Sequence, residues 1–363
     1  KHEFSLIQAL MERNEDMRII AVGDDDQNIY EFRGSDSKYM RSLIDDFGAK
    51  KYDLLDNYRS AVGIVDLANR FAPTITERLK NEPINAINEN QGIVRFIKQK
   101  SRNLEYPIVR NIMSNFTDDK TICVLTSTND EALRVTGLLK KQNVPAKLIQ
   151  SNDGFNLYNI AELRMFMKLV TKNSDTPIIG DKQWNYAVNE LKQRYESSSC
   201  LELCINLLDT FASVNERKYK SDLETFIRES QLSDFYKREK NEIIVSTVHK
   251  SKGREFDCVY MLLSNIFPET DELRRRIYVG MTRAKSELYM HYNNDAFDEF
   301  ADSFFTDNII YPEPNEIMLQ LSLKDVFLGY FKDKKGTILS LRSGQKLDLK
   351  GKYLYADVSG KNV

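Results

Sequence analysis

Residues 242–263 read EIIVSTVHKSKGREFDCVYMLL. Two apolar runs, 242–247 and 257–263, read as strands, and the first runs straight into a polar turn. Small hydroxyl residues, free backbone N–H groups and lysines beside Gly253 suit contacts to phosphate. Glu255, just past that glycine, suits a ribose hydroxyl. His249 fits a structural histidine at least as well as a ligand contact.

The same pattern continues outward. Residues 93–98, 121–125, 144–149 and 287–292 read as further strands, and 129–142 as a helix with Asn129 at its N-cap. Strands alternating with helices argue for a parallel sheet with right-handed crossovers. From 156 to 240 the pattern is helical and highly charged, so the α/β domain, 92–155 and 241–300, is interrupted by a helical insertion. Upstream, 5–12 reads as a helix with Leu6, Ile7, Leu10 and Met11 on one face, 18–22 as a buried strand, 37–47 as a helix and 51–55 as a strand-like stretch. Residues 61–79 are helical in period, with Pro73 set to break them. The polar stretch NEPINAINENQ, 81–91, reads as a linker after an initial segment 1–80. Downstream, 301–316 reads as a second linker. Residues 317–363 read as a small β-module with strand-like runs GTILSL, QKLDL and KYLYADV.

Composition narrows the function classes. Lys and Arg total 52 against 54 Asp and Glu, so any nucleic-acid site must be a local patch. The four cysteines show no CxxC spacing; Cys123 and Cys258 fall in strand-like runs as small buried thiols, and Cys200 with Cys204 make a weak zinc case. Reduced thiols fit a cytoplasmic location. No run of eighteen apolar residues suggests a membrane span. The chain starts inside a helical pattern without Met and ends in strand-like alternation, as a piece of a longer protein would.

Three more stretches carry chemistry. Residues 21–35 read AVGDDDQNIYEFRGS. Carboxylates leaving a buried strand suit a phosphate or its metal, or simply an acidic turn. Tyr30 and Phe32 are alternate residues that project to one side in extended chain, and with Arg33 they suit stacking on single-stranded bases; core packing explains either aromatic alone equally well. Residues 54–60, LLDNYRS, put Tyr58 and Arg59 at a strand end, where one can stack on a purine and the other bind phosphate. Residues 272–290, ELRRRIYVGMTRAKSELYM, hold four arginines. Arg274–Arg276 fit a solvated helix face, whereas Arg283, between small residues and before a strand, suits a transferring phosphoryl group.

In this order the four stretches resemble motifs III, IV, V and VI of the UvrD/Rep/PcrA-type superfamily 1 DNA helicases, over roughly residues 1–295. The resemblance implies a RecA-like parallel-sheet motor domain with a short helical insertion, preceded by the end of a first motor domain and followed by the β-module. It implies that Gln27 senses the γ-phosphate, that Arg59 and Arg283 contact it from two sides, that Tyr58 stacks on adenine, and that Glu255, beside Gly253, binds ribose. Tyr30, Phe32 and Arg33 would contact single-stranded bases, with Phe32 where the family often has Trp, and Thr247 and His249 the DNA backbone. The implied partners are single-stranded and duplex DNA and ATP with Mg²⁺, in a monomeric chain with no membrane partner and unknown protein partners.

Two departures qualify this. No Gly-rich loop ending in Gly-Lys-Thr/Ser and no Asp-Glu-x-Gln-Asp motif occurs; the GK pairs at 351–352 and 360–361 have no following Ser or Thr. The expectation is therefore that these residues hold neither ATP nor Mg²⁺ completely, bind no metal of their own, and do not turn over ATP alone. The insertion is also short for the family. Outside that family, the residues leave open a helicase-like DNA- or protein-binding module without ATPase activity, and a metal-dependent nuclease using Asp24–Asp26.

Overall fold

The computed structural model describes residues 2–14, 16–31, 34–117, 119–149, 157–172, 176–198, 200–230, 241–312, 327–341, 347–351 and 353–356. Two compact units divide the chain, 1–150 with 239–318, and 151–238 with 319–363.

The first unit is built on a seven-stranded sheet whose ladders all run parallel. In spatial order its strands are Phe304–Asp307, Ile93–Gln99, Ala284–Tyr292, Phe256–Leu263, Ile122–Thr126, Ile243–Thr247 and Ala146–Leu148. The central strands are apolar almost throughout because both faces are covered. Side chains alternate: Val259, Met261 and Leu263 enter one core with Ile64, Phe71 and Ile277, while Cys258, Tyr260 and Leu262 enter another with Ile108, Ile112 and Leu139. Helices Val62–Phe71 and Asp271–Met281 contribute to the first core, and Glu105–Asn115 and Asn129–Lys141 to the second. Gly280 lets the 271–281 helix close on the sheet, since a Cβ there would stand 2.5 Å from Met261 Cε.

Several elements differ from the sequence reading. Residues 18–22 enter no ladder, and Ile20 is 92 % exposed, so this stretch is not a buried strand among the described residues. An apolar run becomes a strand only where a neighbour offers its backbone groups. Residues 51–55 likewise stay outside any ladder; only Asp56–Asn57 pairs, in parallel, with Asn85–Ala86 inside the stretch read as a linker. The helix 129–141 is capped by Thr128, whose hydroxyl accepts from Glu131 N while Glu131 reaches back to the Thr128 N–H, a reciprocal box one residue ahead of Asn129. The helix at 105–115 was not anticipated, and Phe304–Asp307, within the supposed second linker, is an edge strand. Pro73 acts as expected: the helix stops at Phe71 and a short 3₁₀ turn, Ala72–Thr74, follows.

In the second unit, helices Ala161–Thr171, Asp181–Arg194, Leu201–Val214 and Lys220–Glu229 enclose a core centred on Trp184. The Trp184 ring meets Phe166 edge-on at 5.0 Å and stacks on Phe211 at 6.1 Å. In the tail, Leu347–Lys350 and Tyr353–Ala356 pair as an antiparallel hairpin. GTILSL is not a strand: its first five residues complete the helix Lys335–Ser340. Residues 317–326, read as the start of the β-module, lie outside the described residues, as do 313–316 of the second linker.

Candidate functional site

The site assembles at the amino edge of strands 256–263 and 284–292. Arg283 and Glu255 each stand immediately before one of them. Arg283 is 2 % exposed and held by four oxygens: Nε donates to Val279 O at 3.1 Å, Nη1 to Arg254 O at 3.3 Å, and Nη2 to Gln27 Oε1 at 3.0 Å and to Thr282 Oγ1 at 3.5 Å. Burial, then the neighbouring Arg59 charge, lowers its pKa to about 10, which leaves it cationic at neutral pH.

Arg59 arrives by a different route. Asn57 Oδ1 accepts from the N–H groups of Arg59 and Ser60, turning the chain sharply after the 56–57 strand. Ser60 Oγ then donates to Ala284 O and Ala61 N to Lys285 O, both at 2.8 Å, which pins this turn to the start of the 284–292 strand. Arg59 Nη2 pairs with Glu255 Oε1 at 2.6 Å, and Lys285 approaches the other Glu255 oxygen at 3.8 Å. Tyr58, one residue earlier, is 74 % exposed and offers its ring to solvent. Gly253 takes φ +85°, with no atom near a would-be Cβ, so the turn before Glu255 leaves open space.

Gln27 closes a short 3₁₀ turn, Asp25–Gln27. Its Nε2 donates to Asp24 Oδ2 at 2.6 Å, its Oε1 accepts from Arg283, and its backbone carbonyl accepts from Lys252 Nζ at 2.9 Å. Three residues on, Tyr30 donates its hydroxyl to His249 O at 3.1 Å, and the Lys252 ammonium lies 4.9 Å from the Tyr30 ring centre. The Tyr30 and His249 rings are 6.2 Å apart. One loop thus touches the arginine cluster at Gln27 and the 248–252 segment at Tyr30. Phe32 and Arg33 lie outside the described residues. Thr247, at the end of strand 243–247, is 7 % exposed, so little of its side chain reaches solvent.

A model of the UvrD-like helicase C-terminal domain matches residues 52–180 and 179–295, and one of the UvrD/REP helicase N-terminal domain matches residues 1–48. This chain belongs to the UvrD-like helicase family. Similar proteins include the ATP-dependent DNA helicase srs2 of Schizosaccharomyces pombe, 22% identical over 96% of this chain and 52% of that protein. The ATP-dependent DNA helicase Rep of Buchnera aphidicola is 21% identical over 80% of this chain and 60% of its own length. PcrA of Staphylococcus epidermidis, also an ATP-dependent DNA helicase, is 22% identical over 80% and 53%. The chain therefore spans between half and three-fifths of the length of these relatives. Among solved structures, the C-terminal domain of a possible DNA helicase from Lactobacillus plantarum WCFS1 covers 65% of this chain and 88% of its own at 14% identity, with a TM-score of 0.32, too loose an overlay to carry an argument.

In this UvrD-like chain the acidic run has a use the sequence did not reveal. Asp26 is fully buried and takes both Nε and Nη2 of Arg78, each at 2.7 Å. Asp25 accepts the Leu79 N–H at 2.5 Å. Asp24 holds Gln27, so the trio is committed to structure and does not fit a Mg²⁺ site. Among the described residues, no group of three or more His, Cys, Asp or Glu is placed to hold a metal ion. The three arginines 274–276 also separate: Arg274 and Arg276 pair along the helix with Asp271 and Glu272, but Arg275 is 3 % exposed and bonds Glu31 at 2.6 Å and Glu77 O at 2.8 Å. That correction follows from helix geometry, because only one of three consecutive residues can face the core. Arg275 is the site-supporting residue missed by sequence reasoning. Lys252, read as a phosphate contact beside Gly253, instead donates to the Gln27 carbonyl. No helix among the described residues is long and apolar enough to cross a membrane.

Proposed function

We propose that this chain is the C-terminal part of an ATP-dependent DNA helicase or translocase moving 3′→5′, with ATP bound against the amino edge of the seven-stranded sheet. The observation that carries the proposal is the Gln27–Arg283 hydrogen bond, which joins two residues 256 positions apart beside Arg59. Two arginines and an amide converging on one spot make a receptor for a polyanion end such as a terminal phosphate. The exposed Tyr58 ring would stack on the base, and Glu255 beside the open Gly253 turn would take the ribose.

On this reading Gln27 and a terminal phosphate compete for Arg283. Losing the Gln27–Arg283 bond frees the Gln27 side-chain oxygen while Asp25, Asp26 and the Gln27 carbonyl stay bonded to Leu79 N, Arg78 and Lys252, and the same loop carries Tyr30, which rests on the His249 carbonyl. Single-stranded DNA would lie along Tyr30, Phe32, Arg33, Thr247 and His249, with duplex DNA ahead of it. Family membership and the helicase names of the relatives support this; the polarity is carried over from the family resemblance. ATP supplies the phosphoanhydride. These 363 residues include no Gly-Lys-Thr/Ser loop, and the chain alone is proposed to be monomeric and inactive in hydrolysis. The Asp24–Asp26 trio, bonded to Gln27, Leu79 N and Arg78, does not fit Mg²⁺.

The test is DNA-stimulated ATP turnover of the complete polypeptide carrying Arg283→Ala. A loss of roughly 10³-fold, the scale on which phosphoryl-stabilising arginines act, is expected. Unchanged turnover would overturn the assignment, and a complete polypeptide without any ATPase activity would favour the binding-module reading.

A further inference from the structure

Helices Ala161–Thr171 and Asp181–Arg194 run antiparallel. Tyr195, just past the second, donates to Ala161 O at 3.4 Å, while Gln183, near its start, donates to Val170 O at 3.0 Å. Between them lies a groove of about 680 Å³ whose lining includes Arg164, Lys168, Lys172 and Arg194, with one carboxylate, Glu190, among the described residues. Tyr158 and Tyr195 also line it, and both sit by the first turn of the 161–171 helix.

The cations are ordered. Arg164, Lys168 and Lys172 follow one another at four-residue steps on one face, about 6 Å per step at 1.5 Å rise. That is the scale on which phosphates succeed one another along a strand. None of the four cations makes a side-chain ion pair among the described residues, whereas Lys218 and Arg228 of the same unit pair with Asp181 and Glu224. Helix dipoles account for cations at helix ends such as Lys168 and Arg194. They do not account for Arg164, which lies near the amino terminus, where a cation is disfavoured. Tyr158 carries the Arg228 guanidinium, itself paired with Glu224, over its ring at 4.0 Å.

We infer that this groove is a second nucleic-acid site, for a single strand whose phosphates follow the 164–168–172 row and whose bases turn toward the tyrosines. A recess between two helices with aromatic walls admits one strand with exposed bases; a duplex keeps its bases stacked inside. The site is distinct from the motor residues and does not rest on their proposed roles.

The experiment is fluorescence anisotropy of the 363-residue chain with a fluorescein-labelled oligothymidylate across a salt series. The double variant Arg164→Glu, Lys168→Glu should bind about tenfold or more weakly at low salt, with the log–log salt slope reduced by about 1.4, two phosphates at roughly 0.7 each. Far-ultraviolet circular dichroism checks that the helices persist. Lys172→Gln, at an exposed helix end, provides a second reading with a slope change of about 0.7. Unchanged affinity and slope in the variants would overturn the inference. So would a loss confined to a duplex probe, or single-strand binding abolished by Tyr30→Ala and untouched by the Arg164 and Lys168 changes.

Discussion

At the scale of the residue, identity was plain and partnership was not. The run DDDQ invites a metal, yet Asp26 is spent on Arg78, 52 positions away, in a bidentate pair whose carboxylate is fully buried. Removing one member of such a pair strands the other charge, so Asp26→Ala should cost about 3 kcal/mol in urea denaturation. A loss under about 0.5 kcal/mol, the level of an ordinary surface change, would show that the pair is not structural. Arg59–Glu255 is the contrasting case. Both side chains are about a third exposed, and a solvated pair contributes at most about 1 kcal/mol. Glu255→Gln should therefore leave the denaturation midpoint nearly unchanged while weakening binding of a fluorescent ATP analogue, and a large midpoint shift with intact binding would refute the ribose role. Tyr58, Arg59, Glu255 and Arg283 were readable as candidates from local spacing; that Gln27 reaches Arg283 was not, since nothing local couples them.

At the scale of the element, the 271–281 helix shows how the site is held. Asp271, at its first turn, accepts from Thr76 N and Oγ1, from Glu77 N and from Arg274 Nη1. Burial opposes its ionisation, but these hydrogen bonds outweigh it and bring the pKa down to about 2. A carboxylate with a depressed folded pKa stabilises fully above its ordinary value of 3.8 and loses that stabilisation as pH falls toward 2. The melting temperature of the native chain should therefore fall more steeply between pH 4 and pH 2 than that of Asp271→Asn, and parallel curves would dismiss the contribution. Elements legible in the sequence were the long apolar runs of the central sheet and the periodic helices. Those that misled were short and conditional: 18–22 lacks a neighbouring strand, and GTILSL has β-branched residues yet curls into 335–340. In such stretches tertiary context overrides propensity.

At the scale of the whole molecule, stability is unevenly spread. The strands at 93–99, 122–126, 243–247, 256–263 and 284–292 carry two dense cores, whereas Leu6, Leu10, Ile20 and Val22 all face solvent. Brief trypsin treatment should cut first after Arg13 and Arg18, both exposed, and leave the central strands intact; early cleavage within 256–292 would contradict that ranking. The sequence by itself determined the class of fold, the ordered motifs and the residue types of the candidate site, because hydrophobic period and turn chemistry are local properties. Only the tertiary structure decided the strand order, the use of the acidic run as an anchor, the burial of Arg275 among three alike, and the meeting of Gln27 with Arg283. Those outcomes depend on which distant groups satisfy a buried charge or an open backbone edge, and no local pattern encodes that choice.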